Sequence, residues 1–184
     1  MEKVNQRVVI TKKMLKDGIL RLLQKKSIEQ INVTELCRES SINRATFYTH
    51  YQTPHDVLWE MEEELHQDLQ NELQKTWKRN STVNTEEVAE VLCAFIEENA
   101  DLVRIFLKND ANHTLKNVLN KTYMSLLKQQ LVIDMDEDDL LLISTYMVGG
   151  SLFILTLWME GHVVKTPHEI AQILTKVFND KIWS

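Results

Sequence analysis

The chain has 184 residues, 43% of them hydrophobic, with 4 Gly, 2 Pro and 2 Cys; that is apolar content enough for a core in one large or two small domains, and too few turn formers for a strand-rich fold. The formal net charge of −6, taken as a sum, speaks against a polyanionic partner. Its distribution reverses that conclusion, because residues 1–52 carry 10 Lys and Arg against 5 acids and the remainder carries 11 against 22, the pattern of a phosphate-binding head on an acidic scaffold.

The N-terminus lacks an apolar signal-peptide core, and Cys37 and Cys93 sit among apolar neighbours with no CxxC partner. Two reduced, buried thiols in a cytoplasmic protein are expected. A first helix is predicted from about residue 10 or 11 to 26, burying Met14, Leu15, Ile19, Leu22 and Leu23. Lys12, Lys13, Lys16, Lys25 and Lys26 flank that stripe, so the helix braces its neighbours while its basic edge lies near a phosphate backbone. Residues 27–31 connect, with Ile28 and Ile31 tucked inward. Asn32 and Glu35 form an N-x-x-E capping box that opens a second helix, buried through Val33, Leu36 and Cys37. Ser40 and Ser41 break the pattern, Ile42 plugs the core, and Asn43 caps a third helix whose buried residues are Ala45, Phe47 and Tyr51. Arg44, Thr46, Tyr48, Thr49 and His50 are left pointing outward, more hydrogen-bonding groups than so short a helix needs for solubility. Such a helix suits a DNA groove.

The stretch INVTELCRESSINRATFYTHYQTPHDVL, residues 31–58, resembles the N-terminal DNA-binding signature of the TetR/AcrR family of bacterial transcriptional regulators. The shared elements are a polar cap before the second helix, an apolar pair within it, a small-small-apolar turn, a capped reading helix containing TFYTHY, and a short turn into a fourth helix. The resemblance implies that Thr34 binds phosphate, that Asn43, Arg44 and Ala45 approach base edges or backbone, and that Thr46, Tyr48 and His50 mostly hold phosphates. Those roles fit the side chains: Arg44 can take guanine in a bidentate contact, Ala45 can touch a thymine methyl, and the hydroxyls of Thr46 and Tyr48 can clamp phosphate oxygens. Two positions depart from the family pattern. Ser41 stands where the turn usually has Gly, and Pro54 where the fourth helix commonly begins with Lys. Thr53 can cap and Pro54 suits the first helical position, so the helix start survives with its amide dipole directed at a phosphate, one lysine contact is lost, and His55 reads as a surface side chain.

The fourth helix is predicted over 54–78, with Val57, Leu58, Met61, Leu65, Leu69, Leu73 and Trp77 along one side and His66 solvated; it joins the head to the body. Residues 79–83 read as a loop. Asn84 and Glu87 cap a helix containing Val88, Val91, Leu92, Phe95 and Ile96, a short helix follows with Leu102, Val103, Phe106 and Leu107, and another from near residue 112 carries Leu115, Val118, Leu119, Tyr123, Met124, Leu127 and Leu131. The acidic tract at 134–139 lacks the ligand spacing and central Gly of an EF-hand, and acids there favour the dipole of the next helix. That helix, 137–160, is apolar almost all round and should bury more than one face; Ser144, Thr145, Gly149, Gly150, Ser151 and Thr156 interrupt it, which reads as a buried helix and not a membrane span. Gly161 ends it, and Thr166, Pro167 and Glu169 start a last helix with Ile170, Ile173, Leu174, Val177 and Phe178 on its face.

YMVGGSLFILTLWMEG followed by TPHEIAQIL also resembles the C-terminal regulatory domain of the same family. The resemblance implies a four-helix homodimer interface, here drawn from Gly149, Gly150, Leu152, Trp158, Ile170, Ile173, Leu174 and Val177. It further implies a mostly apolar cavity for a small-molecule effector, with Phe95, Phe106, Tyr123, Met124, Tyr146 and Met147 as candidate walls. The fold expected is all-α, with a helix-turn-helix DNA-binding head at 1–53 and a helical ligand-binding and dimerisation body at 54–184. One short helix reads few base pairs, so a homodimer on a pseudo-palindromic DNA operator is expected, and the resemblance implies that it acts as a ligand-responsive repressor. The six His are scattered and HExxH, GxSxG and glycine-rich phosphate loops are missing, so no catalysis, metal or cofactor is expected. A protein-binding adaptor working through the acidic body is the second reading.

Overall fold

The computed structural model describes residues 6–77, 85–108 and 136–179, with Lys116 and Asn120. The loop expected at 79–83, the Asn84 cap and the helix expected from near residue 112, with Tyr123 and Met124, lie outside the described residues, as do the side chains of Trp77, Phe106, Leu107 and Phe178. Eight α-helices and no strand occur among the described residues: α1 (Gln6–Leu23), α2 (Val33–Glu39), α3 (Arg44–Tyr48), α4 (Pro54–Trp77), α5 (Thr85–Glu98), α6 (Ala100–Lys108), α7 (Glu137–Met159) and α8 (Pro167–Asn179), with a 3-10 turn at Ile28–Gln30.

Local side chains set where these helices begin. Asn32 Oδ1 accepts from Glu35 N at 3.0 Å and Asn43 Oδ1 from Thr46 N at 2.7 Å, each satisfying an amide that a helix start leaves open. Glu35 sends its carboxylate to Lys26, so the Asn32 cap stands without the reciprocal half of a box. Two complete boxes occur instead at Thr53 with Asp56 and at Thr166 with Glu169, where hydroxyl and carboxylate each accept the other residue's amide. Asp136 caps α7 by accepting from Asp139 N at 2.8 Å.

The ends of α2 and α7 share one geometry. Gly161, at φ 77°, donates to Trp158 O at 3.0 Å while His162 N donates to Leu157 O at 3.0 Å. Ser41, at φ 56°, donates to Arg38 O at 3.2 Å while Ile42 N donates to Cys37 O at 2.9 Å. Both are Schellman closures, and Ile42 packs on the core as that motif favours. Glycine enters this conformation freely; serine does so against its own Cβ.

The buried side of α1 is Leu15, Ile19, Leu22 and Leu23, continuous with Leu36, Phe47, Tyr51, Val57 and Leu58 and then with Leu65, Leu69 and Leu73 along α4. Met14 and Ala45, expected inside, are both exposed. Met14 falls at the edge of the stripe centred on Leu15 and Ile19, and Ala45 lies on the side of α3 opposite Phe47. Gly18 has a packing role: a Cβ there would lie 2.0 Å from Ser40 Oγ and 3.1 Å from Ser40 Cβ, so any larger side chain obliges Ser40, at the end of α2, to shift.

In the body, α5 packs most extensively on α8, through Val88, Leu92, Cys93 and Ile96 on one side and Ile170, Ala171 and Leu174 on the other. The expectation for α7 needs correcting. It buries a single stripe, Ser144, Val148, Ser151, Leu155 and Met159, and leaves Leu141, Leu142, Tyr146 and Phe153 in the open. This helix is long and apolar enough to cross a membrane, yet only 22% of its most apolar window is buried within the chain. The alternation of serines with Val148 and Leu155 explains the single stripe, since small side chains let one face approach its neighbours closely.

Replacing Ser41 by Gly removes an αL cost of about 1–2 kcal/mol and returns roughly half of it as unfolded-state freedom. The expected result is a gain of about 0.5–1 kcal/mol, which for a chain of this size raises the melting temperature by roughly 1–4 °C in a thermal melt followed by circular dichroism.

Candidate nucleic-acid interface

α3 has only five residues, too few to hold itself, so its position is set by what it buries. Phe47 is fully enclosed, its ring edge-on to Tyr48 at 5.5 Å and tilted against Tyr51 at 5.9 Å. With that side anchored, Arg44, Ala45, Tyr48 and Thr49 are exposed, and Thr46 and His50 half-buried. Thr34, in the first turn of α2, is exposed as well. Every head position expected to face DNA is therefore solvent-accessible in whole or part, Asn43 included.

Several of these side chains already have partners that define their orientation. Asn43 spends its carbonyl oxygen on the cap, which leaves its amide nitrogen as the outward donor. Thr49 Oγ1 donates to Thr46 O at 2.6 Å. Arg44 reaches one turn along the helix: its Nη2 donates to the Tyr48 hydroxyl at 3.5 Å and its guanidinium lies 5.9 Å from the Tyr48 ring centre. The Tyr48 contact holds the Arg44 pKa above its ordinary value, so the group carries full charge. The guanidinium is thus held near one end of α3, and an arginine in such a place can meet the paired acceptors of a guanine edge.

The lysines of α1 behave differently from expectation. Lys12 donates to Glu60 at 2.7 Å, and Lys16 lies 2.8 Å from the same carboxylate and also bonds Glu64. Tyr51 adds its hydroxyl to Glu60 at 3.1 Å, and Lys12 sits 5.5 Å from the Tyr51 ring centre. Arg21 bonds the Glu39 carboxylate and backbone oxygen at 2.6 and 2.9 Å, and Lys26 pairs with Glu35. Lys12, Lys16 and Lys26 thus face acids of the chain itself, which corrects the picture of α1 as a basic edge laid along DNA. Lys13, Lys25, Arg38 and Arg44 are exposed cations of the head.

Glu60 went unrecognised in the sequence, although Lys12 and Lys16 share an i, i+4 spacing with Glu60 and Glu64 that could have flagged the match. Burial disfavours its charge, but the hydrogen bonds and charges of Lys12 and Lys16 outweigh that and hold its carboxyl below the ordinary range. The same site pushes the Tyr51 phenol up, through burial first and the Glu60 charge second. At the start of α4, Asp56 accepts from Gln52 N at 2.7 Å and Thr53 N at 2.9 Å. Burial opposes its charge and these bonds overcome it, so an anion already occupies the helix end expected to receive a phosphate.

The expected effector and dimer residues are dispersed. Phe95 borders an open, mostly polar recess with Asp68, Glu72 and Glu98, Met147 is half-buried, and Tyr146 is 67% exposed on the outer side of α7. Gly149 and Gly150 have nothing within 4 Å of a built Cβ, and Ile173 and Val177 are exposed. Leu152 and Trp158 are half-buried, with the indole N–H donating to Lys165 O at 2.8 Å. Ile170 and Leu174 belong to the chain's own core. His66 is half-buried, not solvated. Among the described residues, no group of three or more His, Cys, Asp or Glu is placed to hold a metal.

Residues 83–180 match the family described as the transcriptional regulator C-terminal region of TetR type. The chain superimposes on a TetR transcriptional regulator from Streptococcus agalactiae with a TM-score of 0.68 at 20% identity, covering 94% of this chain and 96% of that one. Lin0861 from Listeria innocua gives 0.70 at 16% identity over 97% and 94% of the two chains. A transcriptional regulator from Aquifex aeolicus gives 0.59 at 16% identity over 91% and 97%. At these identities the likeness is one of fold. No curated protein matches by sequence.

Glu60→Gln should cost about 1–3 kcal/mol at neutral pH, the scale of hydrogen bonds to a charged group. Because the folded carboxyl is held low, its contribution is present above the ordinary carboxylate range and lost as pH falls through the folded value. Urea denaturation of wild type and variant should therefore give stabilities that converge below about pH 4.

Proposed function

The chain belongs to the TetR/AcrR family of transcriptional regulators, and on that premise we propose that it is a ligand-responsive repressor that binds a pseudo-palindromic operator as a homodimer. Residues 1–53 form the DNA-binding head, residues 54–184 the regulatory and dimerisation body, and α4 connects them. The observation that carries this reading is the constitution of α3: one enclosed phenylalanine fixes it, and Arg44, Ala45, Tyr48 and Thr49 are presented to solvent. Arg44 reads a base edge, Ala45 meets a thymine methyl, and Thr34, Asn43, Thr46, Tyr48, Thr49 and His50 position the head on sugar and phosphate.

The dimer face comprises Gly149, Gly150 and Leu152 of α7 with Ile173 and Val177 of α8, and Phe153 joins it by exposure. Support comes from the apolar surface that α7 leaves uncovered and from the two glycines open to a neighbouring helix. Trp158, Ile170 and Leu174 back this face from inside. A two-fold pair of heads then spans half-sites one DNA turn, or a multiple, apart.

An effector held by Phe95, Phe106, Tyr123, Met124 and Met147 shifts α4 and depopulates the spacing of heads that fits the operator. The protein acts in the cytoplasm, where its operator is. Lys12 and Lys16 stand outside the DNA contact, since both are engaged by α4.

The reading is tested by selecting bound sequences from random DNA and titrating the winning site. Arg44→Ala is expected to cost about 1–3 kcal/mol in binding, to relax selection at one base pair, and to leave dimerisation intact. Affinity should fall steeply with rising salt, in proportion to the phosphates neutralised. Wild-type chain that selects no sequence, or Arg44→Ala chain that binds as wild type does, is incompatible with the proposal.

A further inference from the structure

Beside the reading helix, α4 carries a large apolar side chain with no role in the fold: Trp59 is 64% exposed. It is the neighbour of Glu60 yet turns away from the core that Val57, Leu58 and Met61 occupy. Trp59 lines an open recess of about 560 Å3 together with Tyr48, Thr49, His50 and Gln52, so the indole and the C-terminal end of the reading helix share one concave surface.

We infer that Trp59 extends the DNA interface onto α4 by packing its indole against the deoxyribose-phosphate strand that borders the groove read by α3. The inference rests on the proposed DNA-binding role of α3 and adds a second element to the contact.

Two acids also border the recess, and both are internally satisfied. Asp56 accepts from Gln52 N, Thr53 N and the Thr53 hydroxyl. Glu60 accepts from Lys12, Lys16 and Tyr51. What the recess turns outward is an indole face, a phenol, an imidazole and a carboxamide, a surface for sugar and neutral hydrogen bonds, where a strongly basic wall would be needed to hold phosphate by charge alone. Continuity decides among occupants. A strand bordering the groove in which α3 lies passes the end of that helix, where Tyr48 and Thr49 stand, and the adjoining surface is Trp59.

The test compares wild type, Trp59→Ala, Trp59→Phe and Arg44→Ala on the selected operator by anisotropy titration and hydroxyl-radical footprinting, which reads the solvent access of single deoxyriboses. Removing about half an indole's contact should weaken Trp59→Ala binding on the order of tenfold, equally on selected and mismatched sequences, and should unmask deoxyriboses at one edge of each half-site. Trp59→Phe should restore most of the affinity and the protection. Unchanged affinity and footprint in Trp59→Ala, beside a loss in Arg44→Ala, overturns the inference and leaves the DNA reading standing. A wild-type chain with no footprint defeats the DNA reading itself. If Trp59→Ala binds as wild type but sediments as a monomer, the indole belongs to a subunit contact and the inference is again overturned.

Discussion

The Glu60 carboxylate holds the N-terminal half of the molecule in register. Three elements converge on it: α1 through Lys12 and Lys16, the segment after α3 through the Tyr51 hydroxyl, and α4, which carries it. Because Tyr51 also stacks on Phe47, the only fully enclosed residue of α3, the reading helix is linked to α4 through one aromatic pair and one charged cluster. α3 and α4 are thereby tied to each other through the two sides of Tyr51, its ring on Phe47 and its hydroxyl on Glu60. Isolated surface ion pairs contribute little; this one is partly shielded, shared by three donors and joined to the core, so it acts as a positional restraint as well as a source of stability.

That restraint has an electrostatic consequence. The basic character of residues 1–52 is real in sequence but partly cancelled in space, because Glu60 and Glu64 fold back onto the lysines. Lys13, Lys25, Arg38 and Arg44 remain as exposed cations of this half. Among them Arg44 is held beside the Tyr48 ring, 5.9 Å from its centre. Fewer exposed charges also mean weaker non-specific binding, which favours discrimination over raw affinity.

Side-chain caps were the most legible features, whereas the uncapped α1 runs Gln6–Leu23 and not from 10 or 11 to 26. Asn32, Asn43, Thr53 and Thr166 all cap, Asn32 without the return bond from Glu35 that its N-x-x-E context indicates, and Gly161 ends α7 at positive φ. These signals are local, with cause and effect within four residues. Periodicity gives the phase of a long apolar stripe but not its width, which is why Met14, at the edge of the α1 stripe, is exposed, and in a five-residue helix it does not fix even the phase, which is why Ala45 faces away from Phe47. Pairings between distant segments are harder to read: the matching i, i+4 spacing of Lys12 with Lys16 and of Glu60 with Glu64 is the one sequence signal of a contact 48 positions apart, and it says nothing of how the two helices lie. The candidate site shows the same division: the outward residues of α3 follow from its own pattern, whereas Trp59 joins them only once α4 has been laid beside α3.

α7 poses the converse problem, an apolar pattern wider than one chain can use. Its buried stripe of Ser144, Val148, Ser151, Leu155 and Met159 is what a helix in contact with one layer needs, and Leu142, Tyr146 and Phe153 lie beyond it. An exposed apolar side chain of that size leaves on the order of 2 kcal/mol unrealised, too large a sum over several residues to be retained without a use. Ile173 and Val177 expose further apolar surface on α8, while Ile170 and Leu174 are turned into the body. α8 is thus divided into an inner apolar side packed within the chain and an outer apolar side left exposed. α8 packs most extensively on α5, and α5 in turn on α4, so the last helix reaches the connector helix through one intermediate layer.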